Sequence, residues 1–505
     1  MNSFEPIKRI VIVGGGTAGW MAAAALGRVM GALPGLSITL VESEAIGTVG
    51  VGEATIPQIH TFNAMLGLDE AEFLRETYAT FKLGIEFVDW RAIGHRYIHP
   101  FGSYGIDMLG IDFHHFWLKA GVYGGTAELD AFSIAAMAGK AGKFMHPTPG
   151  RPNTPLSRMG YAYQFDASRY AAYLRRLAEG TGVRRVEGKV VEVFQNGETG
   201  FVEAIRMERG ETVDGELFID CSGFRSLLLD QTLGVPFTDW SKWLPCDRAV
   251  ALPCALGGRT ETLTRSTARP AGWQWRIPLQ HRIGNGHVYS SAHMDDQQAL
   301  DILTDTLDGR PLAEPNRLRF QAGHRERAWE KNVVALGLAG GFLEPLESTA
   351  IHLVQAGIAR LLTLFPTRAF SPREIERYNA ENARDYLDIR DFLVLHYKAT
   401  TRDDSEFWNY CRTLPPPDGL AEKIALFESS GRVFREHEEL FTETSWLSVM
   451  AGQGIAAGGY HPMADMLPAD ETRKRLGHIG QVIEDTVQKM PTQAQFLKSI
   501  GGAMA

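Results

Sequence analysis

The stretch Arg9-Ile10-Val11-Ile12-Val13-Gly14-Gly15-Gly16-Thr17-Ala18-Gly19-Trp20 decides the fold class. Its first five residues are a short β-branched run of the kind buried in a parallel sheet. The loop Gly14–Gly19 follows, with Thr17 and Ala18 completing it ahead of a helical stretch, Trp20–Met30. A second strand, Ser37–Val41, ends at Glu42. Strand, G-x-G-x-x-G loop, helix, strand and acid, in that order, predict a dinucleotide-binding unit. Gly14 permits the tight turn, Gly16 lets the backbone approach a pyrophosphate, and Gly19 lets helix and strand pack closely. The helix N-terminus adds free N–H groups and a partial positive charge. Glu42 is placed to accept ribose hydroxyls and disfavours a 2′-phosphate.

Later segments select the nucleotide. Phe218-Ile219-Asp220-Cys221-Ser222-Gly223 reads as a strand returning to the same sheet, and Asn332–Leu338 as another buried strand opening onto Ala339-Gly340-Gly341. A nucleotide fold completed so late in the chain predicts an extended FAD held in an α/β fold of the hydroxylase type, rather than NAD bound in one contiguous block. Only one glycine fingerprint is present, so no dedicated NAD(P)H site is visible and reducing equivalents are expected from outside.

Composition bounds the alternatives. The 505 residues are 44% apolar and 22% charged, ordinary for a globular chain, and the formal charge of −9 argues against nucleic acid as a partner. No apolar run is long enough to cross a bilayer, and no basic leader precedes the first strand, so neither membrane insertion nor secretion is expected. Cys221, Cys246, Cys254 and Cys411 form no CxxC pair; buried thiols in a reducing cytoplasm are expected, with no metal.

Three further segments carry chemistry. In Gly272-Trp273-Gln274-Trp275-Arg276-Ile277-Pro278, two tryptophans one residue apart on a strand share a face. In Phe342-Leu343-Glu344-Pro345-Leu346-Glu347-Ser348-Thr349-Ala350, Ser348 or Thr349 is expected to cap the helix Ile351–Leu364, leaving an anion site at the amides near Thr349 and Ala350. In Phe81-Lys82-Leu83-Gly84-Ile85-Glu86-Phe87, the alternation of Leu83, Ile85 and Phe87 predicts a strand leaving a helix, with Lys82 at the join. Taken singly, these read as an aromatic core pair, a first-turn acid and a solvated lysine.

Together with GGGTAGW at Gly14–Trp20, GVGEATIP at Gly50–Pro57 and DCSGFR at Asp220–Arg225, they resemble the flavin-dependent halogenases of the tryptophan halogenase family. In that family reduced flavin, O₂ and a halide yield hypohalous acid, which travels through a tunnel to a lysine. The resemblance implies that Lys82 is that lysine, acting as a haloamine or as a hydrogen-bond donor to the acid. It implies that Glu347 orients the oxidant or stabilises the cationic ring and takes its proton. By the same resemblance, FAD is held by the glycine loop, Glu42, Ala54, Gly340 and Leu343, and the halide rests at Thr349 and Ala350. Trp273, Trp275 and Ser348 would separate flavin from substrate, and His99 and Phe101 would pack on an indole ring. FADH₂ would come from a separate flavin reductase, and a homodimer stays open.

Where the family's free-tryptophan enzymes carry a Tyr pair, Glu and Phe-Trp, this chain places Ser429-Ser430, Glu436 and Leu440-Phe441. An indole, a phenol or a larger indolic compound, free or carrier-bound, is therefore expected in place of free tryptophan. The expected architecture is an FAD-binding α/β module over residues 1–360, with substrate-covering elements inserted at roughly 80–180, and a mainly helical part over 361–505 closing the pocket. Ser371-Pro372-Arg373-Glu374 is expected to form a capping box opening a long helix. Two other readings are an aromatic hydroxylase, which leaves Lys82 and the tryptophan pair without purpose, and a non-catalytic FAD-binding protein.

Overall fold

The computed structural model describes residues 5–503 apart from 45–51, 123, 125–126, 153 and 259–260. Gly50 and Val51 of the GVGEATIP stretch thus lie outside the described residues.

The opening run forms strand β1 (Arg9–Val13) and the second run strand β2 (Ser37–Glu42), joined by helix α1 (Thr17–Met30). The late segments return as expected. Leu217–Asp220 lies parallel to β1 on the side away from β2, and Val333–Ala335 lies parallel beyond it. Arg184–Glu187 and Trp329–Glu330 complete a six-stranded sheet. β1 is buried from Ile10 onward because α1 covers one face and a second apolar cluster the other, so its run needs no polar alternation. The late strand is shorter than the apolar run Asn332–Leu338: at Gly337 the chain enters a 3₁₀ turn, with φ +65°, and leaves the sheet.

A second, seven-stranded sheet is mostly antiparallel and carries the tryptophan strand Gly272–Pro278, every residue of which is buried. Its other edge is Gly84–Val88 and Arg96–Pro100. A three-stranded sheet of Gly52–Ala54, Ala162–Asp166 and Thr80–Lys82 links the two. Lys82 therefore ends a short strand, not the helix expected before it, and after Leu83 the chain begins the expected strand in the next sheet. A Cβ on Gly84 would sit 2.4 Å from the His99 carbonyl oxygen, so this crossing needs glycine.

Beyond residue 365 the elements are mainly helical: Pro372–Lys398, Glu406–Thr413, Asp418–Ser430, Glu443–Gly452, Ala469–Lys489 and Gln493–Ser499. The last of these returns to the strand bearing Lys82, where Gln493 accepts the Phe81 N–H (2.7 Å). Ser371 begins the long helix, but no capping box forms: the Glu374 N–H donates to the Ser371 carbonyl, not its hydroxyl. All four cysteines are buried and free. Among the described residues no helix is long and apolar enough to cross a membrane.

Candidate active site

A cavity of about 690 Å³ runs from the glycine loop and Glu42 past Ala54, Trp273 and Trp275 to Leu343, Ser348 and Ala350. The loop fits a dinucleotide. Gly14 has φ +115°, and a Cβ there would lie 2.2 Å from the Cys221 carbonyl oxygen. A Cβ on Gly19 would lie 1.8 Å from the Gly14 carbonyl oxygen, whereas one on Gly16 would meet nothing. Bare backbone therefore faces the cavity where phosphates approach. Gly15, given no role in the sequence, is required because a Cβ there would overlap the Glu42 carboxylate. Arg185, also unforeseen, holds Glu42 in place. Gly340 does not line the wall: Gly337 and Gly341 do, and the Gly340 N–H donates to the Gly337 carbonyl behind them.

At the far end of the cavity the chain turns through Glu344–Ser348 into the helix Ala350–Thr363. Neither Ser348 nor Thr349 caps it through a side chain, contrary to expectation. Ser348 adopts φ +60°, a left-handed conformation costly for a residue with a Cβ, and its hydroxyl accepts a hydrogen bond from Lys82 Nζ (2.7 Å). Thr349 is buried and Ala350 lines the cavity, so the helix start opens onto it.

Lys82 has no solvent exposure, and its Nζ lies 5.2 Å from the centre of the Phe101 ring. Burial lowers its pKa to about 7, against the raising influence of the Glu347 charge. His99 sits beside Phe101, Phe392 and Phe441, the last two stacked at 3.8 Å. Lys82, Ser348, Glu347, His99, Phe101 and Phe441 thus gather from separate parts of the chain.

Glu347 is fully buried, with each oxygen taken by an imidazole: His99 Nδ1 at 2.9 Å and His396 Nε2 at 2.8 Å. Burial works to raise its pKa, but the two histidines hold it down to about 2. Since an ionised carboxylate only accepts, both nitrogens donate; His396 Nδ1 is left to accept the Tyr97 hydroxyl (3.1 Å). Burial lowers the pKa of His396 itself, against the raising influence of Glu347. Glu344, three residues earlier, is equally buried. Its Oε2 accepts Trp273 Nε1–H (2.7 Å) and the Tyr397 hydroxyl (2.6 Å), while Oε1 has no partner among the described residues. Burial raises its pKa to about 7 despite those two bonds.

The sequence reading gave no role to Glu344, Tyr97, Phe392, His396 or Tyr397. The available signal was an acid beside Pro345 and a His-Tyr pair ending a long helix. Glu436 stands apart from the cluster: its side chain is exposed, and it is Glu439 that the same loop buries, bonded to Lys423 and Trp446. Elsewhere, Asp112, His114 and His115 approach one another. His115 Nδ1 accepts the His461 N–H (3.2 Å), which leaves the ring proton on Nε2 and no lone pair for a cation.

Two tryptophans thus wall a cavity that begins at a dinucleotide-type glycine loop, and Ser348 at its far end holds the buried Lys82. Residues 9–469 match the family described as tryptophan halogenase. The chain is 35% identical to tryptophan 6-halogenase SttH of Streptomyces toxytricini, over 99% of both chains. Among solved structures it superposes on Xcc4156, a flavin-dependent halogenase from Xanthomonas campestris (TM-score 0.94, 48% identity, 98% of each chain). It superposes equally on BrvH, a flavin-dependent halogenase from Brevundimonas sp. BAL3 (TM-score 0.94, 46% identity, 98% of this chain and 99% of that one). The chain belongs to the tryptophan halogenase family and is a flavin-dependent halogenase using FADH₂ and a halide. Enzymes of this class draw reduced flavin from a separate reductase and act on an aromatic substrate.

Proposed function

We propose that Lys82, in its neutral form, transfers halogen to an electron-rich ring held at His99, Phe101 and Phe441. Bound reduced FAD supplies, with O₂ and halide, the hypohalous acid. The observation that carries the reading is a fully buried amine held by Ser348 and facing the Phe101 ring, its pKa lowered by that burial. Burial thus makes the lone pair available far nearer neutral pH than in an exposed lysine. That lone pair attacks the halogen of the acid, the O–X bond breaks, and hydroxide leaves as water with the Nζ proton. The ring then attacks the halogen, the N–X electrons return to nitrogen, and the ring proton, taken up at Glu347, restores the amine. Glu347 suits this as a fixed negative charge that needs no reorganisation when the ring becomes cationic. Gly14, Gly16, Glu42, Ala54 and Leu343 would hold FAD, and the helix start at Thr349 and Ala350 the halide.

The substrate is an indole, a phenol or a larger indolic compound, in preference to free tryptophan. Ser429 and Ser430, where a tyrosine pair would stand, end a helix with their hydroxyls bonded back to Leu426. Xcc4156 and BrvH, whose names carry no tryptophan, share more identity with this chain than the tryptophan 6-halogenase does. Purified protein supplied with a flavin reductase, NADH, O₂ and bromide or chloride is given indoles, phenols and tryptophan, with products read by mass spectrometry. Monohalogenated indole, with less halotryptophan, is expected. Hydroxylated products without any halogenated ones would overturn the reading.

A further inference from the structure

Glu344 is a buried carboxyl without a part in the chemistry above, yet it joins three elements of the site. It accepts Trp273 Nε1–H from the tryptophan strand and the Tyr397 hydroxyl from the long helix, both on one oxygen. Tyr397 adjoins His396, which holds Glu347. One pair of helix residues therefore clasps both glutamates of the turn. Trp273 is 1% exposed and lines the cavity between the glycine loop and Ser348, whose hydroxyl bonds Lys82. Its ring centre lies 6.3 Å from that of Trp275 and 6.5 Å from that of Trp90. These neighbours do not satisfy its N–H; Glu344 does. Without that acceptor the buried indole N–H would be unpaired, and a rotamer turned toward another partner would become competitive.

We infer that Glu344 is a positioning residue that fixes the Trp273 indole, and through it the passage from the flavin cavity to Lys82. The inference rests on the proposed transit of hypohalous acid to Lys82. A carboxyl serves because one of its oxygens accepts both donors, whether or not the other carries a proton. A glutamine keeps an oxygen in that place and a leucine does not.

The test is a double-mutant cycle between Glu344→Leu and Trp273→Phe, with Glu344→Gln as the conservative variant. Reduced flavin is supplied, and three quantities are read: halogenated aromatic per flavin oxidised, KM for the aromatic, and hypohalous acid escaping to monochlorodimedone as a trap. Glu344→Leu and Trp273→Phe are each expected to lower product per flavin about fivefold, the scale of one buried hydrogen bond. In Glu344→Leu, KM and flavin oxidation should hold while trapped oxidant rises, and the double variant should yield no less product per flavin than either single one. Losses that multiply in the double variant, or unchanged product from Glu344→Leu, would overturn the inference. Should Glu344→Leu fail to fold, Glu344→Gln decides, made both in the unaltered enzyme and together with Trp273→Phe. A loss under about twofold in each supports an acceptor role, and one of about fivefold in each overturns it. No halogenation by the unaltered enzyme on any aromatic would instead overturn the reading on which the inference rests.

Discussion

Glu344 and Glu347 occupy one turn, three residues apart and both sealed from solvent, yet their pKa values are pushed in opposite directions. Each has two hydrogen-bonding neighbours. Those of Glu347 are imidazoles, one on each oxygen, and they keep it ionised. Those of Glu344 are a phenol and an indole sharing one oxygen, too weakly stabilising for a buried charge, so burial prevails and its pKa rises to about 7. Burial alone thus does not assign a role; the donors around each oxygen do. In the proposed function one glutamate is a fixed charge beside the reacting ring, and in the inferred positioning role the other is an acceptor that holds the wall.

The sharpest way to break this contrast is to make the same substitution twice. Glu347→Gln removes the charge and brings an NH₂ against an imidazole donor, and should lower kcat by about a hundredfold or more. Glu344→Gln should change kcat less than about twofold. Steady-state halogenation with mass-spectrometric detection reads both; equal losses would abolish the distinction.

Stability sharpens it next. Lys82 has a folded pKa of about 7, below its ordinary 10.5, so burying it costs stability in full below pH 7 and the cost is relieved as pH rises toward 10.5. Lys82→Met should therefore stabilise the fold by roughly 1–4 kcal/mol at pH 7, the gain shrinking in alkali, while halogenation is lost. Chemical denaturation across pH measures this; destabilisation at pH 7 would contradict it.

The two glutamates should also leave opposite marks on acid stability. Glu347, with its folded pKa lowered to about 2, stabilises the fold above pH 4.5, and that support is lost as pH falls through about 2. Glu344, with its pKa raised to about 7, costs nothing below pH 4.5 and weakens the fold increasingly up to pH 7. Glu344→Gln should remove that decline, on the order of 2–3 kcal/mol, between pH 4.5 and 7. Denaturation midpoints of the two proteins that fall in parallel over this range would contradict it.

Much of the nucleotide sheet was legible in the sequence because parallel strands are continuous apolar runs and the glycine loop has fixed offsets. The seven-stranded sheet was legible at its tryptophan strand and at the alternating residues Leu83, Ile85 and Phe87. Leu263–Arg269 and Ile283–Tyr289 mix Thr, Arg, Gly, Asn and His, and the second is buried on both faces, so neither shows a strand's usual signature. The Glu347 cluster joins residues 248 and 49 positions away, which no local pattern reveals. Lys82 and Glu347 were found through resemblance, since a lysine or glutamate considered alone is a surface residue. The capping roles failed differently: Ser348 lies one residue before the N-cap Thr349 and is turned to Lys82, whereas at Ser371 the Glu374 N–H is taken by the backbone carbonyl.

The central claim is that halogen passes through the neutral Lys82 amine. The direct measurement is the pH dependence of halogenated product per flavin oxidised, in the unaltered enzyme and in Lys82→Ala. Product per flavin should rise through about pH 7 to a plateau in the unaltered enzyme, following loss of the ammonium proton. It should vanish at every pH in Lys82→Ala while flavin oxidation continues. Halogenation by Lys82→Ala at the unaltered rate, or a yield that falls as pH rises through 7, would contradict the claim.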